Sequence, residues 1–285
     1  MRAALLAIAC ALTVPRTAAA DAMAAAGWKG YAAARLASNP TAGALVLGGR
    51  YRHVYRLSEE PLFDGAMVQA GGDLGTAIST SRAALHVEWL PIAVIRLRLQ
   101  AELWWWSGMA TSTGHGLAFP SARSPFGPAE LERREGEEQA AVGSRLVFAP
   151  SLEGKAGPFL VVVAGEAALW NIRGERSFWL EPLYDTLIER GSPDGTIKVA
   201  SALLVEAWTG DGGEASLRIG GTHEVVHALA ADITRHRVGG LAAFTPRGRL
   251  GRLERPTLLT GLGWNLVDVN RDGEAWLLVA VSTQF

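Results

Sequence analysis

Two of the six histidines in this 285-residue chain stand four apart in His223-Glu224-Val225-Val226-His227. This is the HExxH pattern. On a helix it sets both imidazoles on one face as zinc ligands and leaves the glutamate to activate a metal-bound water. The neighbouring residues point elsewhere: Leu217, Arg218 and Ile219 alternate with period two, so the motif continues a strand. A strand puts both imidazoles on one face and Glu224 on the other, beside Arg218. A zinc hydrolase using His223, Glu224 and His227 is therefore an alternative reading. A second pattern, Asp268-Val269-Asn270-Arg271-Asp272-Gly273, spaces the oxygens of Asp268, Asn270 and Asp272 like the start of a calcium loop. Its twelfth position, where a bidentate glutamate belongs, is Val279. Between two strands the same residues make a hairpin turn, with Gly273 supplying a positive φ. No metal and no cofactor are expected, which leaves His223, His227, Asp268, Asn270 and Asp272 as weak metal candidates.

The elements that carry these residues are strands. In Ile95–Trp105 every odd position is apolar, while Arg96, Arg98, Gln100 and Glu102 take the even ones, an unbroken period of two. The segment ends in Trp104-Trp105-Trp106. Before it, Leu85, Val87 and Trp89 oppose His86 and Glu88, and Leu90-Pro91 reads as the tight turn, since proline cannot continue a central strand. Alternation recurs in 141–149 around Arg145, in 159–171 around Glu166, in 196–208 around Lys198 and Glu206, and in 214–229 around Arg218 and Glu224. Segments 237–246, 256–268 and 276–285 follow. Upstream, 44–57 and 66–78 read as strands, and Trp28–Ala37 as a weaker first one. The total is 12 strands, or 10 if the 57–81 region is a loop; 12 is preferred.

The connections are asymmetric. On the side of Leu90-Pro91 lie the short links 151–157, 210–213 and 247–255. On the other lie Ser107–Glu138 and Gly174–Gly195, long and rich in glycine, proline and charge, together with the short 270–273 turn. The run Glu130–Glu138 in the first long loop reads as a solvated loop.

Composition brackets the class. Met1-Arg2, the apolar stretch Ala3–Val14 and the small residues Thr17–Ala20 have the order of a secretory signal peptide, with cleavage after Ala20 or, second, after Ala26. The lone Cys10 falls inside it, so disulfides, thiolate metal sites and a cysteine nucleophile are excluded from the rest. A net charge of −1 offers no field for nucleic acid. Ten tryptophans and 49% hydrophobic residues accompany 27 basic and 28 acidic ones, which implies interleaving rather than separate apolar and charged blocks. The expected organisation is residues 1–20 as signal and 21–285 as one domain.

The last strand, Trp276–Phe285, puts Leu277, Val279, Val281 and Phe285 on one side and Ala280, Ser282 and Gln284 on the other. That pattern, with the strand alternation and the loop asymmetry, resembles Gram-negative outer-membrane β-barrel proteins; Thr283 is a mild departure. The resemblance implies an all-β fold, a single antiparallel transmembrane β-barrel in the cell outer membrane. It implies contact with lipid and lipopolysaccharide, insertion through the C-terminal strand, a monomer and no nucleic acid. The charged faces become the lumen lining: His86, Glu88, Arg96, Arg98, Gln100, Glu102, Arg145, Glu166, Lys198, Glu206, Arg218 and Glu224. Trp89, Trp104, Trp105, Trp106, Trp264 and Phe285 become interfacial aromatics. Lipid-acting barrels carry His-x-Ser on one strand, and none of the six histidines has serine two residues on. The expectation is a non-enzymatic barrel with a narrow or plugged lumen, a porin-like small-solute channel or a surface-binding component. Besides the zinc hydrolase, the alternative is a secreted soluble β-barrel or sandwich binder, whose apolar faces would form a core.

Overall fold

The structure, a computed structural model, describes residues 26–38, 42–56, 66–109, 116–181, 184–210, 216–246, 249–250, 253–268 and 270–285. The proposed signal segment 1–20, with Cys10, lies outside them, as does His115. In chain order the elements are β1 (Gly27–Ser38), β2 (Ala42–Arg56), β3 (Ala66–Thr76), β4 (Thr80–Ile92), β5 (Ile95–Ser107) and the two-residue β6 (Ala118–Phe119). Helix α1 (Pro128–Arg133) follows, then β7 (Ala140–Ala156), β8 (Phe159–Ile172), β9 (Ser177–Glu181), β10 (Thr186–Arg190) and β11 (Pro193–Thr209). The chain continues with β12 (Ser216–Ala228), β13 (Ile233–Thr245), the two-residue β14 (Arg249–Leu250), β15 (Leu253–Val267) and β16 (Ala275–Gln284).

Twelve of these strands form a closed antiparallel barrel in the order β1-β2-β3-β4-β5-β7-β8-β11-β12-β13-β15-β16, with β16 paired back on β1. The closing seam runs from Tyr31 opposite Gln284 to Ser38 opposite Leu277. Gly30 and Phe285 exchange both backbone hydrogen bonds, at 2.9 and 3.1 Å. The Phe285 ring lies where a side chain on residue 30 would be: a β-carbon there would fall 2.3 Å from it. Glycine is what lets the aromatic ring cover the seam.

A closed sheet with period two has one inner and one outer set of side chains. Outward leucines such as Leu36, Leu74, Leu85, Leu103, Leu169, Leu203 and Leu262 are 51–72% exposed. A wall this apolar cannot face water; it is the lipid-facing wall of a transmembrane barrel. The apolar faces thus look out, the reverse of what a soluble binder with an apolar core requires. Around one end the outward residues are aromatic: Trp28, Tyr51, Tyr55, Trp89, Phe159, Trp208, Phe244 and Phe285 are all exposed. Trp28 meets Tyr51 edge-on at 5.6 Å, and the Trp89 indole donates to the Tyr55 hydroxyl at 2.9 Å.

Two expectations are corrected. Leu90 and Pro91 lie inside β4; the turn is at residues 93–94. The β4–β5 register shifts between Trp89 and Ile92, so the proline sits at a bulge, where a missing N–H costs no ladder bond. Trp104 and Trp106 are not interfacial. They share the even-numbered inner face with Gln100 and Glu102 and are 8% and 3% exposed; only Trp105 points outward.

Among the described residues the turns at the aromatic end are 93–94 and 157–158; the connections 57–65, 210–215 and 246–252 join strands at that same end and lie mostly outside the described residues. The two long connections, 108–139 and 173–192, share the other end. They do not stay solvated: β6, β9 and β10 pair into a small sheet over a core of Leu117, Phe119, Phe126, Leu131, Leu180 and Leu187. Helix α1 starts on Pro128, with Glu130 in its first turn and Arg133 in its last, the arrangement its dipole favours. It buries only Leu131. Its charge run is self-paired, Arg133 to Glu130 and Arg134 to Glu137, each at 2.6 Å.

Candidate functional site

The inner face at the long-loop end is where the barrel departs from a bare cylinder. Tyr184 and Asp185, which lead into β10, sit in the mouth of the barrel and are fully enclosed, 0% and 2% exposed. Hydrophobic packing brings them there. Trp104 stacks on Trp106 at 5.9 Å, Trp106 meets Trp179 of β9 edge-on at 5.7 Å, and Trp170 meets Tyr184 edge-on at 6.0 Å. Ile188 of β10 and Ile172 of β8 complete the cluster. The inner-facing tryptophans are thus the socket for the hairpin.

Below this socket runs a belt of ion pairs, and Tyr184 and Asp185 belong to it. Arg145 forks onto Glu102 at 2.7 and 3.1 Å and donates to the Tyr184 hydroxyl at 2.7 Å. Tyr184 in turn donates to Glu166. Glu102 also accepts from Arg82 at 2.6 Å, from the Trp104 indole at 2.7 Å and from Gln100. A carboxylate with that many donors is stable in a buried place. Arg82 reaches on to Asp73 at 2.8 Å. Lys198 pairs with Glu224 at 2.9 Å.

On the next residue, Asp185, three guanidiniums converge: Arg271 at 2.7 Å, Arg237 at 3.0 Å and Arg235 at 3.2 Å. All three meet the same oxygen, Oδ2. The other, Oδ1, is buried without a hydrogen-bond partner among the described residues. Asp185 holds a left-handed backbone, φ 52°, a conformation uncommon outside glycine. Two consecutive residues of one loop thereby bind β7 and β8 on one side and β13 and the β15–β16 connection on the other. The hairpin is strapped across the lumen.

Burial pushes the Asp185 carboxyl up, but Arg271, Arg235 and Arg237 outweigh it and hold the group below its ordinary value of 3.8. A depressed acid contributes stability that is present above the ordinary value and lost as pH falls through the folded one. Asp268 is raised, by burial first and then by the Asp185 charge, so its contribution has the opposite sign. The tip is expected to loosen as pH drops below 3.8, and Asp185→Asn is expected to abolish that step. Hydrogen exchange of β9 and β10 against pH measures it; an acid step unchanged in Asp185→Asn assigns it to other carboxyls.

Each of the twelve lumen candidates carries its side chain on the inner face. Gln100, Glu102, Arg145, Glu166, Lys198 and Glu224 are brought together in the belt. His86 stands opposite Gln100, and Glu88, Arg96 and Arg98 lie further toward the aromatic end, with Arg96 3.4 Å from Glu88. Glu206 bridges Lys155 at 2.7 Å and Arg218 at 3.3 Å near the rim. The HExxH residues are dispersed by their strand. His223 faces out and stacks on His236 at 5.6 Å, His227 faces out against Thr234 at 2.9 Å, and Glu224 faces in. Four residues of strand span about 13 Å, so no ion can meet all three. The turn residues do not converge either. Asp268 accepts from the backbones of Asn270 and Arg271 at 2.9 and 3.0 Å, Asn270 accepts from the Phe126 backbone at 2.9 Å, and Asp272 is exposed. Val279 is on the outward face. Among the described residues no group of three or more His, Cys, Asp or Glu is arranged to hold a metal ion.

Sequence reasoning missed Tyr184, Asp185, Arg235 and Arg271, which lie in loops or beyond the assigned strand ends. It also missed the inner faces of β1 and β2, with Lys29, Arg35, Arg50 and Arg52. For those four the signal was available: Leu45 and Leu47 mark the outer parity of β2, and Lys29 stands opposite Arg50.

No protein-family model matches the chain, and no curated protein sequence matches it. Among solved structures the fold is similar to the β domain of the Bordetella autotransporter Brka, at 12% identity over 90% of this chain and 98% of that one, TM-score 0.48. It is similar to an outer-membrane channel from Pseudomonas putida F1, at 11% identity, 91% and 96% coverage and TM-score 0.42. LpxR from Salmonella typhimurium aligns at 10% identity, 90% and 99% coverage and TM-score 0.40. These neighbours are outer-membrane β-barrels, and at such identities the likeness is one of fold.

Proposed function

We propose that the chain is a non-enzymatic outer-membrane barrel that serves as a narrow passage for small solutes, closed at its outer mouth by the β9–β10 hairpin. The observation that carries this reading is the Tyr184-Asp185 tip, held inside the barrel by charged groups from four elements. A barrel needed only as a membrane anchor has no use for a strapped, polar closure. In this reading the long-loop end faces outward and the aromatic end faces the periplasm, following the loop asymmetry of such barrels. The exposed wall meets lipid, the long-loop rim meets lipopolysaccharide, and β16 is the strand the insertion machinery engages. The barrel acts as a monomer.

Two measurements test the reading. Membrane-extracted protein is expected to show a heat-modifiable gel shift; recovery in the soluble fraction without a shift would sink the membrane assignment. In planar bilayers the native barrel is expected to show small steps, and Tyr184→Ala, which removes the links to Arg145 and Glu166, larger ones. Flat traces from both variants would rule out a passage.

A further inference from the structure

On one side of the outer wall, large and small side chains alternate between neighbouring strands. Leu74 of β3 stands opposite Ala83 of β4, Ala83 opposite Leu103 of β5, and Leu103 opposite Ser144 of β7. One row nearer the aromatic end, Gly72 faces Leu85, Leu85 faces Ala101, and Ala101 faces Leu146. Gly72, Ala83, Ala101 and Ser144 thus make a zigzag floor between leucine banks, an open furrow of about 800 Å³. It runs on past Asn171 to Pro193 of β11; at about 4.8 Å per strand, the five steps from β3 to β11 span about 24 Å. A second furrow, of about 680 Å³, adjoins it at Leu47, Leu74 and Ala83 and reaches Trp105. Polarity begins at the long-loop end, where Ser144 stands opposite Asn171. Two residues on, Arg173 continues the outward face, its amide bonded to the Val142 carbonyl at 3.0 Å. Trp105 lies across Val142 and is 41% exposed. Arg173 is exposed, and its guanidinium makes no hydrogen bond or ion pair among the described residues. Arg190 lies against it, donating to the Arg173 carbonyl and to the Gln139 side chain, each at 2.9 Å. Arg176 is neutralised by Glu189 at 2.5 Å, and Glu175 is exposed beside them.

We propose that this wall seats the phosphorylated lipid anchor of one lipopolysaccharide molecule, its chains in the furrows and a phosphate on Arg173 and Arg190. The inference rests on the orientation given above, which puts the long-loop end in the outer leaflet. Both furrows open sideways into the bilayer, so a chain enters without displacing any packed core. A chain lying in a furrow touches protein on its floor and both banks, which multiplies its dispersion contacts over those on a flat wall. At the furrow's polar end a guanidinium matches a phosphate through parallel hydrogen bonds. Arg173 has no acid of its own, and the lipid phosphate is the anion that lies at that depth. Ser144 and Asn171 supply hydrogen bonds just below it, and Trp105 marks the lipid–water boundary. Trp264, 51% exposed at the same end of the far wall, lies instead between Val238 and Ala275, with no arginine in its row.

The probe is phosphatidate, a two-chain lipid with a bare phosphate. The full barrel is refolded in phosphatidylcholine vesicles that carry, at the same fraction, either chain-brominated phosphatidate or chain-brominated phosphatidylcholine. Bromine quenches a neighbouring indole, and the difference between the native protein and Trp105→Phe isolates Trp105. Phosphatidate is expected to quench Trp105 at least about five-fold more effectively, the preference that a basic residue confers on an anionic lipid. Trp264, isolated in the same way with Trp264→Phe, is expected to be quenched equally by both lipids. Arg173→Gln is expected to lower the preference at Trp105 about five-fold. Ala101→Leu, which fills the floor between Leu85 and Leu146, is expected to lower it about two- to three-fold. Equal quenching of Trp105 by the two lipids overturns the proposal and leaves the membrane reading standing, as does an equal preference at Trp264. That comparison needs no variant of the seat itself, so it decides even if Arg173→Gln or Ala101→Leu fails to fold. A preference lost in Arg173→Gln but unmoved by Ala101→Leu means surface charge without a seat, and overturns the proposal too. Trp105 and Trp264 quenched by neither lipid would put this wall outside the bilayer and sink both readings.

Discussion

Arg145→Ala is expected to cost about 3–5 kcal/mol and to free the β9–β10 hairpin from the mouth. Arg145 is 2% exposed. It bridges Glu102 to Tyr184 and lies 3.6 Å from Glu166, with its guanidinium 4.9 Å from the Trp170 ring centre. Alanine leaves Glu102 and Glu166 buried with fewer cations and opens a hole among three aromatic rings. Lysine would not restore the function, because its point charge cannot fork onto Glu102. The urea midpoint of the barrel refolded in vesicles measures the stability change, and trypsin cleavage at Arg173, Arg176 or Arg190 reports the hairpin. The control is Arg133→Ala: that side chain is 65% exposed and paired to Glu130 within one helix, where solvent screens the pair and its loss is expected to leave stability nearly unchanged. Equal effects of the two substitutions would show that the belt does not strap the hairpin.

Leu203→Arg should destabilise the barrel by about 2–4 kcal/mol in a bilayer. Leu203 points out of β11 and is 54% exposed, five residues before Trp208 of the aromatic rim. In a water-soluble protein, an exposed residue away from any special feature changes stability by within about 0.5 kcal/mol on substitution. The two environments thus predict different magnitudes for the same change. Folding into vesicles, with Leu203→Ala as reference, separates them; a neutral Leu203→Arg would mean that this wall does not meet lipid.

The fold was legible because a barrel is periodic. Period two in Ile95–Trp105 is enough to assign β5, and the same period downstream marks most of the strands and their even number. Where the reading failed, it either abandoned the period or never had one. Trp104 and Trp106 were assigned to the membrane interface by residue type, although parity placed them beside Glu102; the period, followed two residues further, puts them inside. In β1 and β2 the period is weak around Ala32-Ala33-Ala34 and Gly48-Gly49, and the parity that Leu45 and Leu47 set was not followed through to the four inner cations.

The charge belt was half visible. Glu102, Arg145, Glu166, Lys198 and Glu224 lie on assigned strands, and alternation alone turns them inward. Asp185 could not be found this way, because a loop residue has no neighbours at fixed spacing to declare its face.

The sequence by itself determined the closed sheet, the lipid-facing wall and the identity of most groups that look inward, since each follows from spacing along one strand. Only the tertiary structure decided what those groups do together. It brought Tyr184 and Asp185, some 40 and 50 residues from Arg145 and Arg235, into the mouth, and it packed Leu160, Val162, Leu204, Leu241 and Leu259 with Trp276 into one core inside the barrel. Both depend on contacts across the barrel axis, between residues whose distance in sequence carries no information about their distance in space. Closure of the sheet fixes that geometry.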